Sequence, residues 1–109
     1  MDFLGRLELA VLLSVSKLGD EAYGLAVRRA VSAQSGRDYS VGAIYTTLQR
    51  LEDKKLLSSR ETAPLAVRGG RSRRQFRVTA GGRRAIEDAR TRTDALWQGV
   101  VLTPRSRST

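Results

Sequence analysis

Between Glu61 and Glu87 the chain carries Arg68, Arg71, Arg73, Arg74, Arg77, Arg83 and Arg84 and no carboxylate. Guanidinium groups make bidentate contacts to phosphate and enter a narrow minor groove. Gly69 and Gly70 sit inside this run, and glycine lets a backbone come close to a ligand. The chemistry on offer is polyanion binding, with a merely solvated basic loop as the plainer alternative. A second set of polar groups follows Ser40. Val41, Ile44, Leu48 and Leu51 form one apolar stripe at helical spacing, and the opposite side shows Ala43, Thr46, Thr47 and Arg50, flanked by Gly42 and Gln49. Threonines can hydrogen-bond base edges or touch a thymine methyl, while Gln49 and Arg50 can reach adenine, guanine or phosphate. Tyr45 borders the stripe, so its ring is expected half-buried, either purely structural or with its hydroxyl turned to a phosphate.

Composition narrows the field. The 109 residues carry a formal charge of +9, and the chain has neither Cys nor His. Disulfides, thiol chemistry, the usual transition-metal ligands and the usual neutral-pH general base are therefore missing. No nucleophile–base pair stands out, so catalysis is not expected, and neither is a cofactor or a metal. No stretch is apolar for long enough to span or anchor in a membrane, and no secretory leader pattern is visible. The expectation is a cytoplasmic, non-redox protein whose partner is double-stranded DNA.

The elements that must position these groups can be read in order. Leu4, Leu7, Val11, Val15 and Leu18 predict a first helix over about 4–18, with Gly19 as its stop and Asp20 as the cap of the next. That second helix is expected over 21–34, ending at Ser35 and Gly36. Ser40 looks like the N-cap of a third helix reaching about Lys55. Leu57 to Ala63 and Arg74 to Val78 are short enough for strands, and Pro64 to Arg73 with its Gly-Gly pair reads as the hairpin between them. Thr79 can cap a last helix over 80–102, and Thr103 to Thr109 reads as a disordered tail. Three helices, a hairpin and a closing helix make a mainly α fold with a small β-hairpin, the plan of a winged helix-turn-helix. Residues 1–79 would be the DNA-binding unit and 80–102 a C-terminal dimerisation helix.

The last helix carries its own seam. Ile86, Ala89, Thr93, Leu96 and Val100 recur at three and four, widened by Trp97 and Val101. A helix over 80–102 spans about 34 Å, further than so small a core can cover. It either pairs with a second copy or folds back on the first helix, and both can hold in part. Trp97 near the seam is either a large interface residue or the wall of a cavity for a planar small-molecule effector.

Three separated segments resemble a known family, the PadR-like regulators. Glu21-Ala22-Tyr23-Gly24-Leu25 resembles the start of its second helix. Val41 to Glu52 resembles its recognition helix, and Arg74 to Arg83 its wing strand running into a Thr-initiated last helix. The likeness covers roughly residues 4 to 90. It implies a repressor that binds a palindromic operator as a dimer joined by C-terminal helices, often released by an effector. Carried over by position, Ser40, Tyr45, Thr46, Thr47 and Arg50 become contacts of the recognition helix, and Arg68 to Arg74 become the wing. Two departures stand out. Lys54-Lys55 occupies a turn where the family commonly has Gly, so a reshaped exit is expected there, and Gln75-Phe76 replaces paired tyrosines of the wing strand. The rival readings are a sequence-indifferent architectural DNA binder and a winged-helix module for protein–protein contact.

Overall fold

The structure is a computed structural model, describing residues 4–62 and 73–102. Helix α1 (Arg6–Leu18) is followed by a 3-10 turn (Gly19–Glu21), α2 (Gly24–Ser35), α3 (Val41–Asp53), β1 (Leu57–Thr62), β2 (Arg73–Val78) and α4 (Ala80–Trp97). The three N-terminal helices and the hairpin enclose one core. Val11, Leu12 and Val15 of α1 meet Val27 and Val31 of α2 and Ile44, Leu48 and Leu51 of α3, with Leu57 and Phe76 closing the strand side. Each helix contributes an apolar stripe at its own period, and the stripes cover one another.

The hairpin is antiparallel, with Leu57 opposite Val78, Ser59 opposite Phe76 and Thr62 opposite Arg73. Its second strand is bound on the other edge too. Phe76 N–H donates to Ala22 O at 2.9 Å, Tyr23 forms a bridge with Gln75, and Gln75 Nε2 donates to Asp20 O at 2.7 Å. This pairing corrects the expected start of the second helix. Residues 20–23 are held extended or in the 3-10 turn by β2, so Asp20 does not cap α2, which begins at Gly24 behind an extended Tyr23.

Thr79 caps α4 as expected, accepting from Gly82 N–H at 2.9 Å while donating to Lys55 O at 2.8 Å. The helix ends at Trp97 rather than at 102, with Gly99 at a φ of +81° just beyond. A left-handed glycine is a helix stop. Gly82 is buried against the α3–β1 connection, where a Cβ would run into the Leu56 carbonyl. This contact seats the first turns of α4 on the core.

Candidate nucleic-acid interface

Helix α3 is fixed at its start by Ser40, whose side chain accepts from Ala43 N–H at 3.0 Å. Ile44, Leu48 and Leu51 are buried beneath it. Gly42, Tyr45, Thr46, Gln49 and Arg50 are exposed, and Ala43 is half-buried. Two expectations need correction. Thr47 is buried at 4 % exposure and donates its hydroxyl to Ala43 O at 2.8 Å, so it belongs to the packed side. A threonine can satisfy its hydroxyl on the preceding turn, which lets it sit in the core without an unpaired polar atom. Val41, placed in the apolar stripe, is instead 43 % exposed, because the first turn overhangs the core.

Asp53 joins the outward face and was not singled out from the sequence. It accepts from Gln49 Nε2 at 3.0 Å, one turn along the helix. Gly42 lies at the centre of the same face in ordinary helical conformation, and a Cβ there would meet nothing within 4 Å. Glycine in a helix costs up to about 1 kcal/mol relative to alanine. Nothing among the described residues requires that cost at position 42.

The far end of α3 is tied to α1. Glu8 Oε2 lies 2.9 Å from Lys54 Nζ, and Glu8 Oε1 accepts from Gly5 N–H at 2.9 Å. Burial alone would push the Glu8 carboxyl up, but the Gly5 amide, the Lys54 ammonium and the Arg50 guanidinium outweigh it and hold the carboxyl below its ordinary value. The chain then leaves α3 through Lys55 at a φ of +64°. The expected reshaping of this exit is not found: the lysine itself takes the left-handed conformation, at a strain of about 1 kcal/mol relative to glycine.

Beside α3 lies a groove of 640 Å³ lined by Tyr23, Leu25, Arg29, Tyr45, Arg73 and Arg74, with Glu21, Gly24 and Ala26 completing it. Tyr45 is 44 % exposed, and its ring occupies the space that a Cβ on the buried Gly24 would need. Arg73 stacks its guanidinium 3.9 Å above the Tyr23 ring, a cation–π contact that fixes the start of β2 against the start of α2. Tyr23, Leu25 and Arg29 were not picked as site residues from the sequence. Their role depends on the pairing of residues 20–23 with β2, which no local pattern signals. Arg74 lines the groove and also ties the hairpin, with Nη1 donating to Ser59 at 2.9 Å and Nη2 at 3.6 Å from Glu61. Arg68, Gly69, Gly70 and Arg71, the remaining wing residues, lie outside the described residues. Gln75 is buried at 6 %, with Oε1 accepting from Arg60 and Nε2 donating to Asp20 O. It secures the hairpin from inside rather than presenting its amide to a ligand.

The seam on α4 divides in two. Ala89 is buried within the chain and Ile86 is half-buried against the core, so the fold-back reading holds for this half and Ala89 is withdrawn from the expected dimer face. Beyond it the stripe is uncovered. Thr93 is exposed, and Leu96, Trp97 and Val100 are 80 %, 54 % and 52 % exposed, continued by Val101 at 81 %. Among the described residues no helix is long and apolar enough to cross a membrane.

A tri-helical core, a capped third helix with a polar outer face and a hairpin rooted beside it define a winged helix-turn-helix regulator with an added C-terminal helix. The model of the transcriptional regulator PadR-like family matches residues 11–88, and the chain belongs to that family. The fold is accordingly that of DNA-binding transcription regulators rather than of an enzyme family. Among solved structures, a PadR family regulator from Eggerthella lenta DSM 2243 is 29 % identical, with a TM-score of 0.64 over 86 % of this chain and 83 % of that one. A PadR-like regulator from Bacillus cereus strain ATCC 14579 shares the fold at 23 % identity, with a TM-score of 0.69 over 86 % of each chain. RosR of H. salinarum does so at 23 % identity, with a TM-score of 0.66 over 90 % of this chain and 81 % of that one. No curated protein matches significantly.

Proposed function

We propose that the chain is a cytoplasmic repressor that recognises a palindromic operator as a homodimer. Helix α3 enters the major groove with Ser40, Gly42, Tyr45, Thr46, Gln49 and Arg50 against bases and phosphates. The hairpin, with Arg68, Gly69, Gly70, Arg71, Arg73 and Arg74, lies on the minor groove or the backbone. Thr93, Leu96, Trp97 and Val100 of each chain meet in the dimer, which sets half-sites about 34–36 Å apart.

The observation that carries this reading is the outer face of α3. It is polar, it is capped into place, and it has a glycine at its centre where the fold has room for a side chain. The dimer reading draws on the exposed apolar half of α4, since such a stripe is costly to leave in water. An effector at Trp97 would occupy space completed by the second chain, because in one chain the ring faces solvent.

The test is binding to the DNA upstream of the protein's own gene, against a shuffled duplex at near-physiological salt. The proposal expects a preference of about a thousandfold or more, saturating at two chains per site. Equal binding to this duplex, to its shuffle and to every member of a random library would contradict it and favour an architectural binder. DNA affinity left unchanged by Arg73→Ala would favour a protein–protein module, in which the wing makes no phosphate contact.

A further inference from the structure

We infer that Gln49, held by Asp53, reads an adenine in each half-site, with Asp53 acting as the residue that positions its amide. This rests on α3 lying in the major groove. Asp53 Oδ1 accepts from the Gln49 amide nitrogen at 3.0 Å. One N–H is thereby engaged. The second N–H and Oε1 remain, a donor beside an acceptor on the exposed centre of the helix face. Adenine presents the complementary pair in the major groove, an N6 donor beside the N7 acceptor. Guanine presents two acceptors, O6 and N7, so one can take the free N–H while the other meets Oε1 with like polarity. The same amide free to rotate could serve either base less selectively.

Two features argue that this pair is more than helix decoration. An exposed pair one turn apart adds little to a helix. A carboxylate in the last turn also faces the negative end of the helix dipole, so Asp53 sits where a helix by itself prefers a cation. Gln49 lies about 10 Å along the axis from Gly42, within the reach of a helix laid in a major groove.

The experiment is selection from a random duplex library by the full chain and by Gln49→Ala, Asp53→Ala and Asp53→Asn. The wild type should enrich a site with adenine at one fixed position per half-site. Gln49→Ala should flatten that position, by about tenfold or more in preference, and leave the others. Asp53→Ala should weaken the same position, and Asp53→Asn should restore it, because the Asn carbonyl accepts the same hydrogen bond. A merely structural role would lower affinity for all duplexes alike without touching base preference. An enriched site whose every position survives Gln49→Ala overturns this assignment alone, as does equal flattening by both Asp53 variants. No enriched site with the wild type overturns the operator reading and this assignment with it.

Discussion

Helices α3 and α4 begin from the same device and end with opposite surfaces. Each is capped by a hydroxyl residue, Ser40 or Thr79, and each turns an apolar stripe to the core. On α3 the core covers Ile44, Leu48 and Leu51, and what remains outside beyond Val41 and Tyr45 is Gly42 and the polar Thr46, Gln49, Arg50 and Asp53. On α4 the core runs out after Ala89, and what remains outside is Leu96 and Trp97, followed past the helix end by Val100 and Val101. A helix face left uncovered by its own chain describes its partner. The first suits a polyanion with hydrogen-bonding edges, and the second suits another apolar helix.

The largest effect should come from breaking the α4 side. Leu96→Asp removes nothing from the core, since the residue is 80 % exposed, so melting of the isolated chain should change little. Sedimentation equilibrium at micromolar concentration should show the wild type as two chains and the variant as one. Affinity for a selected site should fall by about a hundredfold, the scale of a central interface residue. A variant that remains dimeric would place the interface elsewhere.

A smaller effect separates the anchoring of α3 from its outer face. Glu8→Gln removes the charge that holds Lys54 at the end of the helix, and should cost about 2 kcal/mol at pH 7 by denaturant unfolding. The folded-state carboxyl lies below its ordinary value of 4.5, so the wild type's advantage is present above that pH. It is lost as the pH falls through the lower folded-state value. The stability difference between wild type and variant should therefore close on acidification; a gap that is constant with pH would mean that packing, not charge, is responsible.

The smallest concerns the exit from α3. Lys55→Gly should stabilise the protein by at most about 1 kcal/mol, since the lysine already occupies a left-handed conformation. Operator affinity should be unchanged. A destabilised Lys55→Gly would show that the side chain contributes more than its strain costs.

What could be read from the sequence was local. Ser40 and Thr79 announce their helices because a cap acts over three residues, and the stripe of Ile44, Leu48 and Leu51 announces its buried side by period alone. Gly99 lies just past the observed helix end, while the three-and-four spacing that predicts a longer helix runs on to Val100. Other features depend on distant chain. Asp20 looks like a cap until β2, far along the sequence, takes its carbonyl through Gln75. Thr47 lies at the edge of the helix face, where its own hydrogen bond to the backbone decides between core and surface. The groove lined by Tyr23, Arg29 and Arg73 exists only because the start of β2 and the start of α2 meet. The pairing of Gln49 with Asp53 was within reach of the sequence, being one helical turn, but Asp53 stood at a helix end and drew no notice.

The central claim is that the outer face of α3 lies against DNA, and Gly42→Ala tests it most directly. The added methyl meets nothing within 4 Å among the described residues, so the variant should melt no lower than wild type and up to about 5 °C higher. If α3 sits in the major groove, the same methyl intrudes on the duplex, and affinity for the selected site should fall by about tenfold or more. A variant that is equally or more stable and binds the site as tightly as wild type would contradict the account.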